Sequence, residues 1–124
     1  MRYIKELLNI KRHSADKRIL DFSCLGITDN CILKCKMCYK WKEDVFIKKN
    51  AKVPDLKDWK RCINSLRAIT DDSFQINFGG GEPFLNKDIL ELVRFCKSKN
   101  FKTNIATNGY LIDKNMAKKI ADSG

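Results

Sequence analysis

Histidine occurs only once in this sequence, at His13, and nothing approaches the run of roughly 18 apolar residues that a membrane span requires. The first twenty residues mix charged and apolar side chains throughout, so they contain no apolar export segment. A soluble, unexported chain of cytoplasmic location and no membrane partner is expected. Low-complexity segments and internal repeats are also missing. Six cysteines are present, yet no second closely spaced pair and no nearby histidine completes a four-ligand structural zinc site. In a reducing compartment these cysteines do not read as a disulfide framework, which leaves metal binding or chemistry for the clustered ones. Acidic residues are in deficit, 15 against 25 Lys and Arg, for a net charge of +10.

What is present is enough for one core: 124 residues, 44% of them hydrophobic. Tyr3, Ile4, Leu7 and Leu8 predict an amphipathic lead-in helix within 1–18, with His13 as a surface residue on it. The main unit spans 19–124. "ILDFSCLGIT" (19–28) reads as a buried strand leading into the cysteines. Trp59, Cys62, Ile63, Leu66 and Ile69 recur at helical spacing behind Pro54 and an Asp55 cap. "SFQINF" (73–78) alternates like a strand and runs into "GGGEP". Ile89, Leu92, Val93 and Cys96 share a helix face, with Lys97 and Lys99 where the helix dipole favours cations. "FKTNIAT" (101–107) is a third strand closed by "NG", and Asp113 caps a helix carrying Met116, Ala117, Ile120 and Ala121. Cys24, Cys62 and Cys96 fall within these elements and read as small core residues.

Strands alternating with helices predict an α/β fold with a parallel (βα) repeat. Three units leave two open sheet edges and one uncovered face. At about 30 residues per unit, the chain reads as roughly the first half of a barrel-like domain, either a fragment or a chain that pairs with another.

The chemistry concentrates in "DNCILKCKMCYKW" (29–41), where Cys31, Cys35 and Cys38 form C-x3-C-x2-C. Four thiolates would fill an iron-sulfur cluster and suit it to electron transfer, whereas three leave one iron open to a ligand. The cysteine loop, "GGGEP" and "TNG" each follow a strand, and ligands in sheets of this type bind beyond the carboxyl ends of strands. Glycines at a strand end let backbone approach a ligand closely. If Phe74, Ile76 and Phe78 face the helices, Gln75 and Asn77 face the open side.

The cysteine triplet followed by Tyr39, then "GGGEPFL", then "ATNGYLI", closely resembles the radical S-adenosylmethionine enzymes over residues 19–124. The resemblance implies the first three units of a partial (βα)6 TIM-like barrel. It implies that Cys31, Cys35 and Cys38 hold a 4Fe-4S cluster whose fourth iron chelates the amino and carboxylate groups of S-adenosylmethionine. It places Gly80, Gly81 and Glu82 in the motif whose backbone receives the methionine amino group and Met37 at the hydrophobic position near the adenine, counts Tyr39 and Pro83 with them as cofactor-binding, and puts Thr107 and Asn108 at the third strand end, in contact with cofactor or substrate. One-electron cleavage would then give a 5′-deoxyadenosyl radical that abstracts hydrogen from a substrate. The motif details resemble the branch that modifies peptides or builds cofactors, though tRNA-modifying members and activators of glycyl-radical enzymes share the core. Nine lysines between Lys34 and Lys60, among them Lys36, Lys40 and Lys42, make a basic neighbourhood for an acidic electron donor such as flavodoxin or ferredoxin. The family often has Asn-Leu after the first cysteine; here Asn30 precedes Cys31 and Ile32 follows it. The second half of the family's domain supplies further cofactor and substrate contacts, so this chain alone is not expected to turn over efficiently. A non-catalytic metal module, either a zinc-stabilised nucleic-acid-binding domain or an iron-sulfur electron carrier, accounts for the lysines and cysteines but not for the glycine-glutamate-proline run.

Overall fold

A computed structural model describes residues 21–40 and 54–124. The expected lead-in helix, His13 and Lys42 lie outside the described residues. Three strands, β1 (Phe22–Thr28), β2 (Gln75–Gly80) and β3 (Lys102–Ile105), form one parallel sheet in the order β1-β2-β3. They alternate with helices α1 (Leu56–Ile69), α2 (Ile89–Ser98) and α3 (Lys114–Ser123), and a 3-10 turn covers Pro83–Leu85. Among the described residues no helix is long and apolar enough to cross a membrane.

Helices α1 and α3 begin at a side-chain cap, whereas Asp88 at the start of α2 makes no capping bond. Asp55 accepts from the Asp58 amide at 2.9 Å while the Asp58 side chain bonds back to the Asp55 amide, a complete capping box. Asp113 accepts from the Met116 amide at 2.7 Å. The α2 terminus closes through Asn100, whose φ of 58° is left-handed. Its amide bonds to the Lys97 carbonyl and that of Phe101 to the Cys96 carbonyl, which turns the chain directly into β3.

Register decides the two faces of the sheet. Leu25 pairs with Phe78 and Phe78 with Ile105, and Ile76 pairs with Thr103, all on the helix side. Ile27, Ile63, Phe74, Ile76, Phe78, Leu92 and Cys96 are buried there, each large apolar side chain contributing about 1.5–3 kcal/mol. Phe74 and Phe101 meet edge to face at 5.8 Å just before β2 and β3 begin. On the other face lie two rows that no helix among the described residues covers: Phe22, Gln75 and Lys102, then Cys24, Asn77 and Asn104. Gln75 and Asn77 therefore point away from the helices, as alternation predicts, and Gln75 Nε2 donates to Asn77 Oδ1 at 2.5 Å.

Several expectations need correction. Cys24 is exposed, because strand parity puts it with Asn77 on the open face; Cys62 is half-buried and only Cys96 is fully buried. Burial pushes the Cys96 thiol up to about 12, as befits a neutral core residue. The second strand extends through Gly79 and Gly80, because both continue the pairing with β1. The third stops at Ile105, and the first begins at Phe22, residues 19 and 20 of the expected strand lying outside the described residues. Ile69 is 53% exposed. After Ile63 and Leu66 the 3.6-residue period reaches Thr70, which is buried and donates to the Leu66 carbonyl at 2.8 Å. In α3, Met116 and Ile120 pack on the core while Ala117 and Ala121 stay exposed on the flank.

Candidate active site at the carboxyl rim of the sheet

All three motif-bearing loops leave the carboxyl ends of their strands, so parallel topology brings them to one rim. β1 carries an irregularity between Gly26 and Thr28, paired with Gly79 and Gly80, and such a bulge bends a strand end. The cysteine loop is then sewn to the glycine run. The Gly81 amide donates to the Thr28 carbonyl at 2.7 Å, and the Glu82 amide donates to the Asn30 carbonyl at 2.8 Å. Asn86 Nδ2 donates to the Ile27 carbonyl at 3.1 Å from the far side of the 3-10 turn.

Close approach explains two of the glycines. Gly80 has φ +123°, and a Cβ there would lie 2.2 Å from the Thr28 carbonyl oxygen. A Cβ on Gly81 would lie 2.1 Å from the Asn30 carbonyl oxygen. Gly79 differs: a Cβ would meet nothing within 4 Å, and its partner Gly26 is bare too, so the open face has a floor without side chains just below the rim.

Within the cysteine loop, Cys31 and Cys35 are exposed and Cys38 is half-buried. Turns hold it: the Cys38 amide donates to the Cys35 carbonyl at 2.9 Å, and the Leu33 amide donates to Cys31 Sγ at 3.4 Å. Lys40 pairs with Asp29 and cinches the two ends of the loop. Met37 is 94% exposed, and Tyr39 is exposed beside it. Among the described residues no three Cys, His, Asp or Glu side chains converge closely enough to hold a metal ion. The donor set itself fits an iron-sulfur cluster: three thiols on one short segment of turns, with neither helix nor strand between Cys31 and Cys38 to resist closure.

The third loop is bound to the second through side chains. Glu82 is fully buried, and its carboxylate accepts from the Phe84 amide, the Thr107 hydroxyl and the Asn108 amide at 3.1, 2.7 and 2.9 Å. Pro83 and Phe84 are buried behind it. Thr107 and Asn108 thus stand on the same rim as Gly80 and Gly81. Sequence reasoning found every motif here but missed Cys24, Lys102 and Asn104 on the open face, which strand alternation with the correct register would have found.

A parallel half-barrel with three thiols, a glycine run and a carboxylate-tied turn on its carboxyl rim belongs to the class of α/β cofactor-binding domains. The Radical SAM superfamily model matches residues 25–124, and the chain belongs to that family, whose members use a 4Fe-4S cluster and S-adenosylmethionine. The chain is similar to the Fe-coproporphyrin III synthase of Methanosarcina barkeri, at 36% identity over 99 residues, covering 80% of this chain and 24% of that protein. It is similar to the PqqA peptide cyclase of Bradyrhizobium diazoefficiens, at 31% identity over 100 residues, covering 81% of this chain and 25% of that protein. Among solved structures it superposes on Streptococcus suis SuiB bound to the precursor peptide SuiA, with a TM-score of 0.65 and 27% identity, covering 98% of this chain and 27% of that one. The chain spans about a quarter of the length of the curated relatives it matches.

Proposed function

We propose that this chain carries the cluster- and S-adenosylmethionine-binding portion of a cytoplasmic enzyme that modifies a peptide or a cofactor precursor. The observation that carries the reading is the pair of bonds from Gly81 and Glu82 to Thr28 and Asn30, which holds the glycine run against the entrance of the cysteine loop. When bound, the cluster and S-adenosylmethionine supply a 5′-deoxyadenosyl radical that abstracts hydrogen from the substrate.

The chain's own residues have separable tasks. Cys31, Cys35 and Cys38 are the thiolate ligands. Backbone carbonyls of the Gly80, Gly81 and Glu82 run would receive the methionine amino group, since the Gly81 and Glu82 amides are taken, and Met37 and Tyr39 would offer apolar surface to the adenine. Thr107 and Asn108 border the same space from β3. Gln75, Asn77 and Asn104 offer amide donors and acceptors to a polar substrate on the open face, where Gly26 and Gly79 leave room for it. The exposed Lys34 and Lys36 beside the thiols suit an acidic electron donor of the flavodoxin or ferredoxin kind. A peptide or tetrapyrrole-like precursor is favoured over RNA by the similarity to a peptide cyclase and a coproporphyrin synthase.

The test is anaerobic reconstitution of the intact protein with iron and sulfide, then reduction and electron paramagnetic resonance with and without S-adenosylmethionine. A reduced 4Fe-4S signal that changes shape on addition is expected. A colourless protein that retains one zinc instead would overturn the proposal in favour of a non-catalytic metal module.

A further inference from the structure

Glu82 touches all three rim loops. Its amide donates to Asn30 in the cysteine loop, it sits within the glycine run, and its side chain accepts from Thr107 and Asn108 beyond β3. An ionised carboxylate can only accept, and here a fully buried one receives three donors. Thr107 has a single hydroxyl proton, which goes to Glu82, while its oxygen accepts from the Gly109 amide at 3.0 Å. Asn108 Oδ1 is likewise taken by the Tyr110 amide at 2.9 Å. The third loop is therefore held by its own turn on one side and by Glu82 on the other.

We propose that Glu82 is a positioning residue: its carboxylate clamps the Thr107–Asn108 turn to the end of β2 and sets the spacing of the rim, without touching S-adenosylmethionine itself. The proposal rests on the reading that this rim binds S-adenosylmethionine. A direct ligand would present its carboxylate to the open space, whereas this one is turned inward onto Phe84, Thr107 and Asn108.

The full-length protein, its Glu82→Gln and Thr107→Val variants and the double variant form the test. Glutamine keeps the size but aims an N–H at one of the three donors, and valine keeps the shape of threonine without its proton. Hydrogen exchange over residues 107–110, read without any cofactor, is expected to accelerate in both single variants. Affinity for S-adenosylmethionine, read from the cluster signal, is expected to fall about tenfold in each, with the double variant no weaker than either single one. Iron content is expected to stay unchanged. Unaltered exchange, or a Thr107→Val protein of normal affinity beside a weakened Glu82→Gln, would overturn the clamp. If the parent protein bound no S-adenosylmethionine, the functional reading would fall while the exchange data still decided the clamp. If Glu82→Gln did not fold, Thr107→Val would decide it by affinity and by exchange at Asn108, whose amide donates to Glu82, whereas Gly109 also loses its own bond to the Thr107 hydroxyl.

Discussion

Gly81 and Asn30 stand so close that a methyl group does not fit between them: a Cβ on Gly81 would lie 2.1 Å from the Asn30 carbonyl oxygen. The contact is backbone against backbone, so no rotamer change relieves it. Gly81→Ala is expected to cost about 2–4 kcal/mol and to displace the cysteine loop. Gly79→Ala, with nothing within 4 Å, is expected to change stability by no more than about 0.5 kcal/mol. Thermal melts and iron per chain after reconstitution check both.

The six thiols are expected to separate by role. Cys31→Ala, Cys35→Ala and Cys38→Ala should each abolish stoichiometric iron incorporation, because only three thiolates hold the cluster and a remaining pair leaves two of its irons without a protein ligand. Cys62→Ala and Cys24→Ala should retain it. Iron and sulfide assays with visible absorption decide the matter, and a Cys35→Ala protein with full iron would contradict the ligand assignment.

Asn77→Ala is expected to leave the cluster spectrum and its response to S-adenosylmethionine intact. It should raise the KM for substrate, since Asn77 points to the open face below the rim. Loss of one hydrogen bond predicts roughly a tenfold change. Steady-state kinetics on the intact enzyme measures it, and an unchanged KM would remove Asn77 from the substrate surface.

Reversing charge at Lys34 and Lys36 is expected to slow reduction by an acidic protein donor by about tenfold at low salt, with the difference shrinking as ionic strength rises. Lys40 is left out because its pairing with Asp29 closes the loop. Reduction by dithionite, which docks nowhere, should not change. Equal stopped-flow rates with the protein donor would remove this surface from the docking site.

Cys96 makes stability fall at alkaline pH. Its folded value is raised from 9.0 to about 12, so the folded protein holds the proton more tightly than the unfolded chain does. That contribution is complete below pH 9 and is lost as pH rises from 9 towards 12, by up to about 1.4 kcal/mol per pH unit. The stability gap between the parent protein and Cys96→Ala is therefore expected to narrow above pH 9. Urea titrations at pH 8, 9.5 and 10.5 measure the gap, and a constant one would show that Cys96 titrates normally.

Much of this architecture is legible without coordinates. The alternation of strand and helix, the caps at Asp55 and Asp113, the inward Ile76 and Phe78 and the C-x3-C-x2-C spacing all depend on residues within a few positions of one another. Local spacing and hydrophobic period are properties of the sequence itself, and parallel topology then places the three motif loops on one rim.

What tertiary structure decided depends on distant contacts and on parity. "FSCLGIT" is too uniformly apolar to say which residues face the helices, and a one-residue shift reverses the answer; only pairing with Asn77 puts Cys24 on the open face. Gly79, Gly80 and Gly81 look alike in sequence, yet Gly80 is demanded by the end of β1 and Gly81 by the cysteine loop that follows it, more than fifty residues earlier, while Gly79 borders open space. Glu82 read as part of a ligand-binding run, but folding brought Thr107 and Asn108 to its carboxylate across twenty-five residues, because a buried charge must find donors wherever the fold supplies them.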